Sequence, residues 1–268
     1  MRRIFLTVLA AVMTFSLSAQ DLTILHFNDT HSHIDPQRSG DLQGRGGVIE
    51  QAAFIEQVRE EEGKRNVLLV HAGDFGQGTS YFTELGGNIE IDVMNDLGFD
   101  VVTLGNHEFD NGADELARRL KNLKADVVCA NYDFTGTSLE GIVKPYTILR
   151  RGGKKIGVIG LLTDVSSVVD ISMAQGIQYQ EPAPIVNELA GFLKNKKKCD
   201  LVICLSHLGY GDDKRLAGQV RDVDIIVGGH SHTHLEDIHH EKDLDGNDVK
   251  IVQNWKWGLN VGKLTLDF

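Results

Sequence analysis

At 268 residues, with 41% apolar and 24% charged side chains, the sequence can bury a sizeable core and carries no compositional mark of disorder. Against 38 Asp and Glu stand only 27 Lys and Arg, a net charge of −11 that excludes the basic footprint needed by a sequence-independent nucleic-acid binder. Three cysteines (Cys129, Cys199, Cys204) without a Cys-x-x-Cys spacing exclude both a disulfide framework and a zinc ribbon.

Taken from the start, residues 1–19 read as an export signal. Arg2 and Arg3 give its positive end, Ile4 to Phe15 its apolar run, and Ser16-Leu17-Ser18-Ala19 a small-residue cleavage stretch. The run is shorter than the roughly 20 residues of a spanning helix, so no membrane anchor is expected and the mature chain is periplasmic or extracellular. Residues 20–268 read as a single domain, because no repeat, low-complexity tract or Pro/Ser-rich linker interrupts them.

Short apolar runs predict buried strands at Leu22 to Phe27, Val67 to Val70, Val101 to Leu104, Val127 to Ala130, Ile156 to Leu162, Leu201 to Leu205 and Ile225 to Val227. Helical spacing lies between them. Val48 to Glu62 carries Ile49, Ala52, Phe54, Ile55 and Val58 on one face, Ala113 to Leu123 repeats the pattern, and Ile185 to Leu193 follows Pro182 and Pro184. This alternation predicts an α/β class with parallel crossovers. Two antiparallel hairpins are expected to interrupt it, Tyr146 to Arg151 with Lys154 to Ile159, and a closing pair, Val249 to Asn254 with Val261 to Leu266. Together they suggest mixed sheets packed face to face.

Chemistry gathers where these strands end. Asn28-Asp29-Thr30-His31 follows the first, Gly73-Asp74 the second, Gly105-Asn106-His107-Glu108 the third, Ser206-His207 a later one, and Gly228-Gly229-His230-Ser231-His232 the last central one. The carboxyl ends of the strands in an open α/β sheet form its ligand-binding edge, so five clusters of oxygen and imidazole donors are expected to converge there. Each alone is weak evidence, since an Asp-x-His pair is commonly a turn Asp beside a surface His. Glycines beside them let the chain turn sharply and approach a metal or phosphate.

This ordered series, with the wording Leu25 to His31, Leu104 to Asp110, Leu205 to Gly209 and Asp224 to Thr233, resembles the calcineurin-like metallophosphoesterases, in particular their 5′-nucleotidase branch. The resemblance implies a four-layer αββα sandwich of two mixed sheets with two divalent metal ions at one rim. It assigns Asp29, His31 and His232 to one ion, Asn106, His207 and His230 to the other, and Asp74 to both. Zn²⁺, Mn²⁺ or Fe suits such a donor set. With two carboxylates the centre keeps a charge of about +2 for a phosphate, which is how an acidic protein binds an anion. His107 is implied as a transition-state donor or acid oriented by Asp110, with metal-activated water as the attacking group.

The remaining residues have plainer readings. His26 and His71 are expected to be hydrogen-bonded core histidines, and Glu108 to support its loop beside an inward Phe109. His33, His234, His239 and His240 exceed what two metals need. Two-domain members of the resembled branch carry a second domain that stacks the base; no counterpart is expected here. Trp255 and Trp257 offer a base platform, but cover for the closing hairpin or a docking surface is the expected role. The function implied is a phosphomonoesterase acting on nucleotides or related organic phosphates. A phosphodiesterase or pyrophosphohydrolase, or a catalytic subunit needing a separate substrate-recognition polypeptide, are the alternatives.

Overall fold

The computed structural model describes residues 22–167, 173 and 176–268; the export signal expected at 1–19 lies outside them. One sheet takes β1 (Leu22–Phe27), β2 (Val67–His71), β3 (Val101–Thr103), β4 (Asp126–Val128), β6 (Val143–Lys144) and β14 (Gly262–Leu266), with β14 antiparallel beside β1 and the rest parallel. A short ribbon pairs β5 (Tyr132–Asp133) with β9 (Gln178–Tyr179). The second sheet runs, in spatial order, β12 (His239–Lys242), β13 (Asp248–Val252), β11 (Ile225–Val227), β10 (Leu201–His207), β8 (Lys154–Leu162) and β7 (Tyr146–Arg151). Its two edge strands are antiparallel and its four inner strands parallel.

Alternation along the inner strands divides the core into three apolar layers. Leu22 and Ile24 of β1 meet Leu201, Ile203 and Leu205 of β10 between the sheets. The intervening Leu25 and Phe27 face α1 (Val48–Glu62), α3 (Asn88–Leu97) and α4 (Ala113–Leu120), while Val202 and Cys204 face α5 (Pro182–Asn195) and α6 (Tyr210–Ala217). A short α2 (Ser80–Leu85) precedes α3. Neighbours on a strand that face opposite layers are both buried, which is why these strands are mostly apolar on both faces, with Thr23 and His26 the polar exceptions in β1. The architecture is the expected four-layer αββα sandwich. All three cysteines are buried and unpaired. Among the described residues no helix is long and apolar enough to cross a membrane.

Two expectations are corrected. The closing hairpin does not form: β13 joins β11 and β12 in the second sheet, whereas β14 pairs with β1 in the first. The connection between them therefore crosses from sheet to sheet. Ile49 is also not part of the packed face of α1, being 78% exposed, and the buried positions are Gln51, Ile55 and Val58. Gln51 is held in its buried place by donating from Nε2 to the Gly258 carbonyl in that crossing connection, at 3.2 Å.

Candidate metal centre

Every proposed ligand lies just beyond, or at the end of, a parallel strand: Asp29 and His31 after β1, Asp74 after β2, Asn106 after β3, His207 at the end of β10, His230 and His232 after β11. Because the two sheets present these ends on one side, their side chains meet. Asp29, His31 and His232 form one group of donor atoms and Asp74, His207 and His230 a second. Asp74 stands between them, its Oδ2 3.1 Å from His207 Nε2 and 3.9 Å from His31 Nε2. Asn106 shares the lining of the same depression with Asp74, His230 and His232.

The backbone is held in unusual conformations to achieve this. Five of the seven, Asp29, His31, Asp74, His230 and His232, have φ between 46° and 71°, the left-handed region that non-glycine residues seldom occupy. Such strain persists where surrounding bonds enforce it, and here they do. Glu108 accepts the backbone N–H groups of Asp74 (2.9 Å), Gly76 (3.0 Å) and Gly105. Gln253 donates to the Gly229 carbonyl (2.7 Å) and accepts from Ser231 Oγ (2.9 Å) and the Thr233 N–H, which fixes the turn bearing His230 and His232. Asn28 donates to both Asp29 Oδ2 (2.6 Å) and the Trp255 carbonyl (2.7 Å). Gly105 permits the closest approach, since a Cβ there would collide with Asp74.

The donor atoms fit metal ions. His207 Nδ1 donates to the Ala72 carbonyl at 2.6 Å, which leaves the lone pair of Nε2 facing the centre. That Nε2 and Asn106 Oδ1 are both buried with no well-formed hydrogen bond. His31 Nε2 and His232 Nε2 approach to 3.0 Å, near the separation of two nitrogens that share an ion at about 2.1 Å. Without a metal the charges compensate one another. Burial pushes His207 down, but the Asp74 carboxylate overrides it and raises the imidazole to about 10. Burial likewise opposes ionisation of Asp74, yet His207 holds that carboxyl well below its ordinary range. His31 and His230 are pushed down by burial.

His107 occupies the mouth. Its Nδ1 is 2.9 Å from Asp110 Oδ2, its backbone N–H donates to Asp74 Oδ1 at 2.9 Å, and its ring lies 5.4 Å from that of His31. The hydrogen bond that it donates to Asp110 raises its pKa, with burial opposing. About a third of its side chain is exposed, whereas His207 is fully buried. Phe109 packs inward and Glu108 braces the turns, as expected. His71 bonds Thr30 Oγ1 (3.0 Å) behind the centre, and His26 is buried in β1 with no partner for Nδ1. His33 gains a place the sequence did not suggest: it stacks on Trp257, one of the two tryptophans weighed as a platform, and both rings line the depression. Only the crossing of the last connection brings Trp257 there, and no local pattern signals it.

Two adjoining sets of carboxylate and imidazole donors at the rim of a double sheet define a metallohydrolase type of site. The chain belongs to the calcineurin-like phosphoesterase family, whose model matches residues 22–234 and whose members use divalent metals. It is 34% identical to the snake venom 5′-nucleotidase of Naja atra over 278 residues, covering 92% of this chain and 50% of that protein. It is also 34% identical to the NAD 5′-nucleotidase of Haemophilus influenzae over 272 residues, covering 93% and 45%. The crystal structure of the 5′-nucleotidase precursor from Thermus thermophilus matches with a TM-score of 0.85 at 35% identity, over 92% of this chain and 51% of that one. The chain spans about half the length of these relatives.

Proposed function

We propose that this chain is an exported, dinuclear-metal phosphomonoesterase of the 5′-nucleotidase type, releasing phosphate from nucleotides or related organic phosphates. The observation that carries this reading is the position of Asp74 between two donor groups, within 4 Å of an imidazole nitrogen of each. Asp29, His31 and His232 would hold one ion, Asn106, His207 and His230 the other, with Asp74 shared. When bound, the ions supply Lewis acidity and a water acidic enough to attack phosphorus in line. The chain's own side chains do the rest. His107, with Nδ1 fixed by Asp110, donates from its other ring nitrogen toward the phosphoryl or leaving-group oxygen. The buried carboxylates keep the centre's charge low enough to hold the ions, yet leave it positive toward a phosphate dianion. Export rests on the charged, apolar and small-residue order of residues 1–19.

Pyrophosphate cleavage is a second reading, favoured by one observation: the Haemophilus influenzae relative is named for NAD. Phosphate release from AMP, measured beside NAD and a 2′,3′-cyclic nucleotide with added Mn²⁺ or Zn²⁺ and with chelator, separates the two. Chelator-sensitive release from AMP is expected; turnover of the diesters alone would replace the first reading with the second. Asp74→Ala should lose both ions by metal analysis, and wild-type metal content in that variant would overturn the shared-ligand assignment.

A further inference from the structure

The two tryptophans of Trp255-Lys256-Trp257 have different surroundings. Trp255 stacks on His234 with ring centroids 5.5 Å apart and an interplanar angle of 14°. Trp257 instead stacks on His33 at 4.7 Å and 29°, and both of these rings line the depression that contains Asp74, His107 and His232. The expected role as cover for a closing hairpin falls with that hairpin.

Trp257 is also held under strain. Its φ of 60° lies in the left-handed region, a real outlier for a bulky side chain. Its backbone N–H donates to the Asp29 carbonyl at 2.6 Å, so the indole is fixed to the very turn that carries a proposed metal ligand. The next residue is pinned as well, through the bond from Gln51 to Gly258. Trp255 shares this conformation, with φ 54°, so the strain belongs to the whole Trp255-Lys256-Trp257 turn, and what sets Trp257 apart is that its ring lines the depression. The half-buried ring carries one mobile neighbour, Lys256 Nζ, at 4.2 Å from its centroid. A partly exposed cation–π contact on a flexible stem is weaker than the stacking of a whole base, so a planar ligand displaces it. The depression, of about 470 Å³, is in the range that accommodates a small organic ligand.

We propose that Trp257, backed by His33, is the surface on which the planar leaving group of the substrate stacks, so that the site selects phosphate esters bearing a nucleobase or similar aromatic ring over bare sugar or polyol phosphates. This rests on the phosphoesterase reading above and names its specificity determinant. The test compares AMP with ribose 5-phosphate. Trp257→Ala should lower kcat/KM for AMP about tenfold more than for ribose 5-phosphate, chiefly through KM, and Trp257→Phe should restore most of the preference. Equal losses on both substrates, or an unchanged preference, overturn the platform. A second measurement does not depend on turnover. Only two tryptophans occur in the sequence, so Trp255→Phe leaves Trp257 as the sole indole. Adenosine should quench its fluorescence in the metal-loaded protein and ribose should not. Absence of quenching overturns the platform whatever the activity, while quenching without hydrolysis of any ester overturns the phosphoesterase reading and leaves the platform standing.

Discussion

The Glu108 carboxylate accepts the backbone N–H of Asp74 at 2.9 Å, and through this bond a residue outside the proposed metal ligands sets the backbone of the one proposed to be shared by both ions. The same side chain, wholly buried, takes two further N–H groups from Gly76 and Gly105, so a single carboxylate joins the turns after β2 and β3. Glu108→Ala leaves these donors without partners, and each buried unsatisfied group costs roughly 1–3 kcal/mol. Loss of at least about 2 kcal/mol in urea denaturation is expected, together with weaker metal uptake. Glu108→Gln, which keeps the volume and one acceptor oxygen, should lose less. An unchanged denaturation midpoint in the alanine variant would show that the turns hold themselves.

His107 and Asp110 separate catalysis from assembly. Neither belongs to the two donor groups and both are partly exposed, His107 lining the depression and Asp110 behind it. His107→Ala should retain metal and melting temperature while kcat falls by about 10². Asp110→Asn, which removes only the orientation of the ring, should lower kcat by roughly tenfold. Metal analysis alongside steady-state kinetics checks both. Loss of metal in either variant would move these residues from chemistry to construction.

Metal and protons compete at His207. In the metal-free chain this imidazole is raised to about 10 by the neighbouring Asp74 carboxylate, so it is protonated at neutral pH and must release its proton to bind an ion. Affinity for Mn²⁺ or Zn²⁺ should therefore strengthen as pH rises from about 6 to about 8, with net proton release on binding in weakly buffered calorimetry. Because the ions bind the folded chain only, removal by chelator should lower the melting temperature. Proton uptake, or an affinity independent of pH, would contradict the charge arrangement at the centre.

Asp213 in α6 gives a separate pH signature. It is fully buried, Oδ1 accepts the hydroxyl of Ser206 at 2.6 Å, Oδ2 has no partner, and burial pushes its carboxyl up to about 7. The folded state thus binds a proton that the unfolded chain, at an ordinary carboxyl pKa of about 3.9, releases. This group's contribution to stability is complete below that value and is lost as pH rises through about 7. Asp213→Asn removes the dependence. Urea midpoints at about pH 5 and about pH 8 should fall with pH more steeply for the native chain than for the variant. A steeper fall in the variant would reverse the assignment.

The gathering of these candidate donors was legible in the sequence because they sit at a topological position that sequence can reveal. An apolar run followed by Gly-Asp or Gly-Asn-His marks a buried strand and the turn that ends it, and Ile225–Val227 and Val48–Glu62 form with the bounds their patterns predicted. What could not be read is non-local. Val249 and Leu264 look like partners in a hairpin, but nothing in either run states that one pairs toward β11 and the other with β1. The same gap concealed the stacking of Trp257 on His33, more than 200 residues away. Gln51 is buried where it can donate to the Gly258 carbonyl while Ile49 is exposed, a demand that appears only after the crossing connection is placed.

That first and last strands are neighbours has a consequence for the order of assembly. Leu22 pairs with Leu266, and the hydroxyls of Thr23 and Thr265, 242 residues apart in sequence, lie 3.4 Å from each other. The outer edge of the first sheet stays open until the ribosome has delivered residue 266, and pairing at so large a separation is slow in any case. A nascent chain that cannot complete its sheet is a chain that can still be threaded. For a protein proposed to leave the cytoplasm, such late closure is compatible with translocation of an unfolded chain, and the proposed metal donors from both sheets would then meet after transport.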